Sequence, residues 1–307
     1  MGLDQGLVLL PLRQLARAFR LATIAVVAGA VIAYVGIVPP YAAYSFLTPI
    51  RVQAVYPPDA VGLPYENLQI AAPDPLAAWF IPGSSRATIV LLHGLNGERS
   101  SVLEVAKVLH AAGYSLLLPD LPGHGASGGA ITTYGYREAV DITAAVRYLQ
   151  GRPDVDPQRI GLMGWSLGAV TALLTAERVP EVRGVVADSS FVTLSEQLDH
   201  QGDYLDLLKP VYPLIRLYGA WFAGVDPASV SPRRAIAALS PRPVLLIHGQ
   251  DDLSMPVAGA YTLYAAAGEP KDLWVVPGAV HTAARAVAPA EYDRRTIAFF
   301  RKAMPPD

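Results

Sequence analysis

The stretch from Ile160 to Gly168 reads IGLMGWSLG, and it carries the most specific structural signal in the chain. Ile160–Gly164 is a short apolar run typical of a buried strand, and a helical pattern, Leu167–Arg178, follows almost at once. The small residues of Gly164-Trp165-Ser166-Leu167-Gly168 allow a strand to turn sharply into a helix. We therefore predict that Ser166 stands at a strained turn at the carboxyl edge of a sheet, beside a helix N-terminus that favours developing negative charge. Glycines that only pack a helix against a sheet are the alternative explanation.

From Val61 onward, short β-branched runs alternate with longer periodic ones, which is typical of a mostly parallel sheet covered by helices. The sequence therefore predicts an α/β domain over residues 61–307, with eight strands and helices on both faces. The predicted strands are Tyr65–Ile70, Ala77–Ile81, Thr88–Leu92, Ser115–Pro119, Ile160–Gly164, Gly184–Ala187, Val244–Ile247 and Leu273–Val276. The predicted helices are Ser100–Ala112, Tyr136–Gln150, Leu167–Arg178, Val257–Ala267 and Pro289–Met304.

The interval of about 193–240 interrupts this alternation. It is rich in leucine and aromatic residues and is expected to be a helical insertion between two strands. A lid over a substrate pocket and a pair of helices packed on the sheet edge are equally compatible with this pattern.

The N-terminal segment accounts for much of the positive mean hydropathy of +0.32. Leu21–Val38 contains no charge and would form a helix of about 27 Å, close to the hydrocarbon thickness of a bilayer. Arg13, Arg17 and Arg20 precede it, so the positive-inside rule puts a tail of residues 1–20 in the cytoplasm and the rest outside. A cleaved signal peptide and a buried core helix are the alternatives. Pro39 and Pro40 are expected to end the helix and to open a Pro-rich linker over residues 39–60.

Composition excludes several classes of function. The chain of 307 residues has a net charge of -2 and scattered arginines, which do not suit a nucleic-acid backbone as partner. The absence of cysteine excludes disulfides, Cys-ligated zinc, iron–sulfur clusters and a thiol nucleophile. Gly123–Gly128 fits the dinucleotide pattern G-x-G-x-x-G, but no helix follows it directly, so a tight turn explains its glycines better.

A serine hydroxyl at such a turn needs a base, and the base needs an acid that orients it. Of the six histidines, only His281 follows Ser166 and all three strand-end carboxylates named below. It lies in the loop after the last predicted strand, as the chain order Ser, acid, His requires. Asp188, Asp251 and Asp252 each follow a predicted strand, so position alone leaves three candidates for the acid.

Four motifs stand in order along the chain: His93-Gly94-Leu95, Pro122-Gly123-His124-Gly125 with Ser127, the Ser166 pentapeptide, and His248-Gly249-Gln250-Asp251-Asp252 with His281. With them, Val61 to Phe300 resembles the α/β-hydrolase superfamily. The resemblance is specifically to membrane-anchored, lysophospholipase-like and monoacylglycerol-lipase-like serine hydrolases with a short lid. It implies an α/β-hydrolase fold and makes Asp252, rather than Asp251, the triad acid. It also implies that the backbone N–H groups of Leu95 and Leu167 form the oxyanion hole.

The residues and the resemblance together imply a serine hydrolase that cleaves carboxylic esters of lipid-like or acylated small molecules. Ser166, His281 and Asp252 would form the catalytic triad and work through an acyl-enzyme, with the membrane bound by the N-terminal helix. Such chemistry requires neither a cofactor nor a metal. A serine peptidase or aminopeptidase on the same fold stays open as an alternative, as does a catalytically silent, membrane-tethered binding protein.

Overall fold

The computed structural model describes residues 12–307 of the chain, so the first part of the expected tail, residues 1–11, lies outside the described residues. A sheet of eight strands forms the centre of the domain. The strands are β1 (Glu66–Ile70), β2 (Leu76–Ile81), β3 (Thr88–Leu92), β4 (Ser115–Pro119), β5 (Ile160–Trp165), β6 (Val182–Asp188), β7 (Val244–Gly249) and β8 (Lys271–Val276).

Helices surround this sheet and extend from it at the N-terminal end. They are α1 (Leu12–Gly36), α2 (Val38–Leu47), α3 (Leu103–Ala111), α4 (Glu138–Gln150), α5 (Leu167–Arg178), α6 (Leu194–Gly202), α7 (Tyr212–Ala223), α8 (Pro232–Ala237), α9 (Ala258–Ala266), α10 (Ala284–Val287) and α11 (Pro289–Ala303). Each predicted strand and helix of the domain is confirmed, with bounds that differ by a few residues. The expected start of the Ser100–Ala112 helix, for example, is a 3-10 turn over Arg99–Val102.

The strands lie in the order β1-β2-β4-β3-β5-β6-β7-β8. β2 runs antiparallel to β1 and β4, and all other neighbours are parallel. Crossover helices therefore cover both faces. In β3, Val90 and Leu92 belong to the apolar layer on one face, and Ile89 and Leu91 to the layer on the other. Burial on both faces explains why such strands read as unbroken apolar runs.

The parallel direction of β3, β5, β6 and β7 brings their carboxyl ends to one edge of the sheet. The segments that leave this edge carry His93, Ser166, Asp188 and Asp252, one from each strand. Residues far apart in sequence thereby become neighbours, as ligand sites of open α/β sheets require.

The N-terminal region differs from the expectation in two ways. The helix begins by Leu12 instead of Leu21, and the two prolines do not open a linker. After a bend at Ile37, Pro39 and Pro40 stand in the first turn of α2, where a missing N–H costs no hydrogen bond. Together α1 and α2 form an apolar helical stretch from Leu12 to Leu47, with a window of mean hydropathy 2.5 that is not buried. It is long and apolar enough to cross a membrane, a property that signal sequences share.

The insertion of about 193–240 contains α6, α7 and α8, as its apolar composition predicts. Its helix α7 packs against α2, where Ala43, Val211 and Ile215 form a small buried cluster. Tyr44 of α2 meets the ring of Phe222 edge-on, with centroids 6.4 Å apart. The insertion and α2 therefore form one cap over the carboxyl edge of the sheet.

Candidate active site

Ser166 stands alone between β5 and α5 with φ 53° and ψ -116°. L-residues rarely adopt such a conformation, and the surrounding packing has to maintain it. A Cβ atom on Gly164 would lie 2.2 Å from the carbonyl oxygen of Gly168, and one on Gly168 would lie 2.1 Å from that of Leu92. Both glycines of the pentapeptide are thus required by close backbone contacts, which confirms the sharp strand-to-helix turn.

The structure brings Ser166, His281 and Asp252 together in one line of hydrogen bonds. His281 Nε2 lies 2.9 Å from Ser166 Oγ, and His281 Nδ1 lies 2.7 Å from Asp252 Oδ2. Ser166 is 8% exposed and Asp252 only 3%. This arrangement can remove a proton from the hydroxyl through Nε2 while the carboxylate holds the ring.

Asp252 is held in its ionised form by its neighbours. Burial opposes the charge, but the hydrogen bond with His281 and the N–H group of Met255 outweigh it and keep the pKa of Asp252 below its usual value. Its second oxygen, Oδ1, accepts from the N–H groups of Ser254 and Met255 at 3.0 and 2.8 Å. The loop after β7 therefore fixes the carboxylate in position.

The two other candidate acids do not contact His281. Asp251 is exposed, whereas Asp188 has no exposed surface and accepts from the hydroxyls of Ser189 and Tyr292 at 2.9 and 2.8 Å. Burial raises the pKa of Asp188 to about 6 despite these two donors. Among the three carboxylates, Asp252 is the one placed to orient the base.

Ser189 is a residue near the site that the sequence patterns did not single out. Its hydroxyl donates to Asp188 and accepts the N–H of Thr282, the residue after His281, at 3.2 Å. Both Ser189 and Thr282 have positive φ, 59° and 56°. The sequence signal for Ser189 is the polar run Asp188-Ser189-Ser190, because it follows β6 at the carboxyl edge of the sheet, where the site lies.

The loop after β3 lies against Ser166. A Cβ on Gly94 would lie 3.5 Å from that of Ser166. The Gly94 carbonyl accepts from the Gly97 N–H and lies 2.8 Å from Nδ1 of His93. Burial and nearby His124 lower the pKa of His93 to about 3, so the ring is neutral. In a trans peptide, N–H and C=O point in opposite directions, so anchoring this carbonyl also fixes the direction of the Leu95 N–H.

Leu167, the second residue expected in an oxyanion hole, is the first residue of α5. The N–H groups in the first turn of a helix lack partners within that helix and carry its positive dipole end. The Ser166 carbonyl accepts the N–H groups of Ala169 and Val170, which are the first backbone hydrogen bonds of α5. Leu167 therefore stands at the N-terminus of the helix, where its N–H group has no acceptor within the helix.

Comparisons with known proteins agree with this geometry. Residues 87–214 match the family model described as alpha/beta hydrolase fold. An uncharacterized protein of Mycobacterium tuberculosis is 35% identical over 210 residues, which cover 67% of this chain and 68% of that protein. The uncharacterized protein YfhR of Escherichia coli is 30% identical over 240 residues, 74% of this chain and 76% of YfhR. The chain belongs to the α/β-hydrolase superfamily.

Among solved α/β-hydrolase-like structures, the Pyrococcus furiosus esterase Pf2001 is similar to this chain with a TM-score of 0.72. The two are 26% identical, and the match covers 84% of this chain and 98% of the esterase. The α/β-hydrolase fold together with an esterase as structural neighbour supports hydrolase activity.

This α/β-hydrolase has a cavity of about 740 Å³ beneath the cap, within the size range of small-molecule sites. The cavity reaches Leu95 and Asn96, next to the Gly94 that packs on Ser166, and extends away between α2 and the insertion. Most of its lining is apolar, and it includes Ala43, Phe46, Leu47, Leu194, Leu198, Leu205, Ile215 and Ala223. Such a lining suits an apolar group attached to the reacting carbonyl.

Proposed function

We propose that this α/β-hydrolase is a membrane-anchored serine hydrolase that cleaves carboxylic esters with apolar acyl groups. The observation that carries the proposal is the pair of hydrogen bonds joining Ser166, His281 and Asp252. The apolar cavity that reaches the Leu95 loop supports the acyl part of the proposal. The uncharged span Leu21–Val38 within the apolar N-terminal helical stretch supports the anchor.

The proposed mechanism has two steps. Ser166 Oγ attacks the ester carbonyl carbon as His281 Nε2 takes the hydroxyl proton, and the backbone N–H groups of Leu95 and Leu167 stabilise the oxyanion. The carbonyl re-forms as the alcohol leaves with the proton from His281. Water then attacks the acyl-enzyme with His281 again as base, which releases the acid and restores the Ser166 hydroxyl. Throughout, Asp252 stabilises the imidazolium.

The charges of the insertion favour an ester over an aminoacyl substrate. An aminopeptidase would need an unpaired carboxylate to hold the substrate ammonium. Asp199 pairs with Arg216, Asp206 pairs with Lys209 at 2.7 Å, and Glu196 lies 4.0 Å from Arg233. Most acidic side chains of α6 and the segment after it are therefore already neutralised by a basic neighbour, and the cavity itself is mostly apolar.

A catalytically silent binding protein would be expected to have lost part of this machinery. In this chain the base lies within hydrogen-bonding distance of both partners, and the strained Ser166 conformation is retained. Backbone strain at a single residue is costly and persists where it serves a site. Both features favour an active hydrolase.

The test uses the purified full chain in detergent. We expect a fluorophosphonate probe to label it, and Ser166→Ala to abolish both labelling and ester hydrolysis, with a loss of kcat on the order of 10³-fold or more. Ser101→Ala, a change at an exposed serine outside the site, serves as the control. Acyl esters of graded chain length and aminoacyl amides then separate esterase from peptidase. Labelling that survives in Ser166→Ala would refute the assignment.

A further inference from the structure

The insertion contacts the N-terminal helix α1 near the end of its uncharged span. The hydroxyl of Tyr34 in α1 donates a hydrogen bond to the carbonyl of Leu207, in the segment between α6 and α7. Tyr34 lies four residues, or about 6 Å, before the end of the uncharged span Leu21–Val38. This span is about 27 Å long, so crossing a hydrocarbon core of about 30 Å uses its whole length. The proposed anchor therefore places Leu207 at the interface of the bilayer.

Several apolar side chains around this contact are more than half exposed. We name them the cap surface: Tyr41 and Tyr44 of α2, Tyr204 and Leu207 between α6 and α7, and Leu217 and Trp221 of α7. Its α7 and α2 parts are joined, since the Trp221 ring lies tilted against Phe222 with centroids 5.2 Å apart, and Phe222 meets Tyr44. Leu207 adjoins Tyr34 and so joins this face to α1.

The chemistry of the cap surface is that of a lipid interface. Tyrosine and tryptophan concentrate where a bilayer meets water, because their rings suit the acyl region and their polar atoms suit the headgroups. Asp206 and Lys209 flank Leu207 and form an ion pair, as expected at headgroup depth. Arg216 is likewise paired with Asp199.

The cavity lies directly behind this surface. Tyr204 belongs to both, and α2 and α7, which carry most of the cap surface, turn Ala43 and Gly219 toward the cavity. An apolar acyl chain that leaves a bilayer at the cap surface would thus enter the cavity without a passage through water.

We infer that the cap surface rests on the bilayer that α1 crosses, and that this hydrolase takes its acyl substrate from that bilayer. The inference rests on the proposed anchor and deepens the proposed esterase function by naming the source of the substrate. It commits to lipid as the occupant, and a second copy of the chain is the competing outcome of the tests below.

The first test measures tryptophan quenching in the full chain reconstituted in phosphatidylcholine vesicles. Trp221 is 72% exposed, whereas the other three tryptophans are buried or partly buried. The difference in emission between the parent and Trp221→Phe isolates Trp221. We expect lipids brominated near the headgroup to quench most of this difference signal. An unquenched Trp221 in protein that remains in the vesicles overturns the inference while the anchor stands.

The second test compares activity on a fluorogenic acyl ester embedded in vesicles with activity on a short, dissolved ester. In Leu207→Asp and Trp221→Asp, we expect the ratio of vesicle to dissolved activity to fall on the order of tenfold. Tyr261→Asp, at an exposed apolar residue of α9 outside the cap surface, is the matched control and should keep the parent ratio. An unchanged ratio in both cap variants overturns the inference.

The remaining outcomes separate the linked proposals. Extraction of the chain by alkaline carbonate would show that α1 is not an anchor, and the inference would fall with it. If the fluorophosphonate probe does not label the parent protein, the proposed serine hydrolase activity is instead refuted. Cross-linked pairs in vesicles, with Trp221 protected but not quenched by brominated lipid, would assign the cap surface to a second copy and overturn its contact with lipid.

Discussion

The hydroxyl of Tyr292 donates a 2.8 Å hydrogen bond to Asp188 Oδ2, in a carboxyl group that has no exposed surface. The backbone of the same aspartate touches the nucleophile, since the Asp188 carbonyl accepts the N–H of Ser166 at 2.8 Å. Asp188 is thus a second buried acid beside the site. It supports the turn of Ser166 and does not contact His281.

Asp188→Asn should change how stability depends on pH. Burial raises the pKa of Asp188 to about 6 from an ordinary value of 3.8, so the folded chain binds this proton more tightly than the unfolded chain. The contribution of this proton to the unfolding free energy is fully present below about pH 4 and is lost as the pH rises through 6. Between pH 4 and 7 we expect the parent to lose about 3 kcal/mol of unfolding free energy relative to Asp188→Asn. Urea unfolding of the two proteins in detergent across this range measures the difference.

Tyr292→Phe is the companion variant for this experiment. It removes a donor that favours the ionised carboxylate, so the loss of stability should begin at the same pH and extend to a higher one. A parent-to-variant difference that does not vary with pH would contradict the raised pKa of Asp188.

Ser189→Ala should slow catalysis with little effect on binding. The change removes the acceptor for the Thr282 N–H and thereby frees the residue after His281. We expect kcat to fall about tenfold with KM nearly unchanged, because small displacements of a base cost rate. Ser189→Gly relieves the positive φ but also lacks the hydroxyl, so an equal loss is expected. Recovery of kcat in the glycine variant would instead point to backbone strain as the cause.

Asp252→Asn should be far more damaging than Asp251→Asn. An amide in place of Asp252 cannot hold His281 in the required tautomer, a change that lowers kcat by about 10⁴-fold in other serine triads. Asp251 is its exposed neighbour and has no contact with the ring, so its variant should retain the parent kcat. Steady-state ester hydrolysis by the two variants decides between them, and similar losses in both would contradict the assignment of the acid.

Gly168→Ala should destabilise the whole domain. Its new Cβ would lie 2.1 Å from the Leu92 carbonyl, so β3 and α5 would have to separate. We expect a loss of about 3 kcal/mol or more in unfolding free energy. Gly219→Ala in α7 is the matched control, since nothing lies within 4 Å of its Cβ position and a helix gains about 0.5–1 kcal/mol from alanine. Equal unfolding midpoints would contradict the contact.

The strands and the Ser166 and His281 positions are predictable because each depends on a local pattern: an apolar run and the turn or loop that follows it. Asp252 itself needed the family resemblance, since Asp188 follows a strand equally well. The contact of Tyr292 with Asp188 spans 104 residues and has no local signal. The helix α2 did have one, because its buried positions Pro39, Ala43 and Leu47 recur every four residues. Two successive prolines predict the end of a helix, but the first turn of a new helix also tolerates them.

The packing of α2 has a consequence for any shortened form of this protein. Ala43, Phe46 and Leu47 line the cavity, and the Leu47 carbonyl accepts the N–H of Thr132 at 2.7 Å. Cleavage near Ala43-Tyr44-Ser45, or trimming of the chain to gain solubility, would disrupt one side of the cavity and remove α1, the proposed anchor. A substrate chain-length preference measured on such a fragment would therefore differ from that of the full-length protein. The proposed anchor and one wall of the cavity are thus contiguous in sequence, so a truncation that removes the first also alters the second.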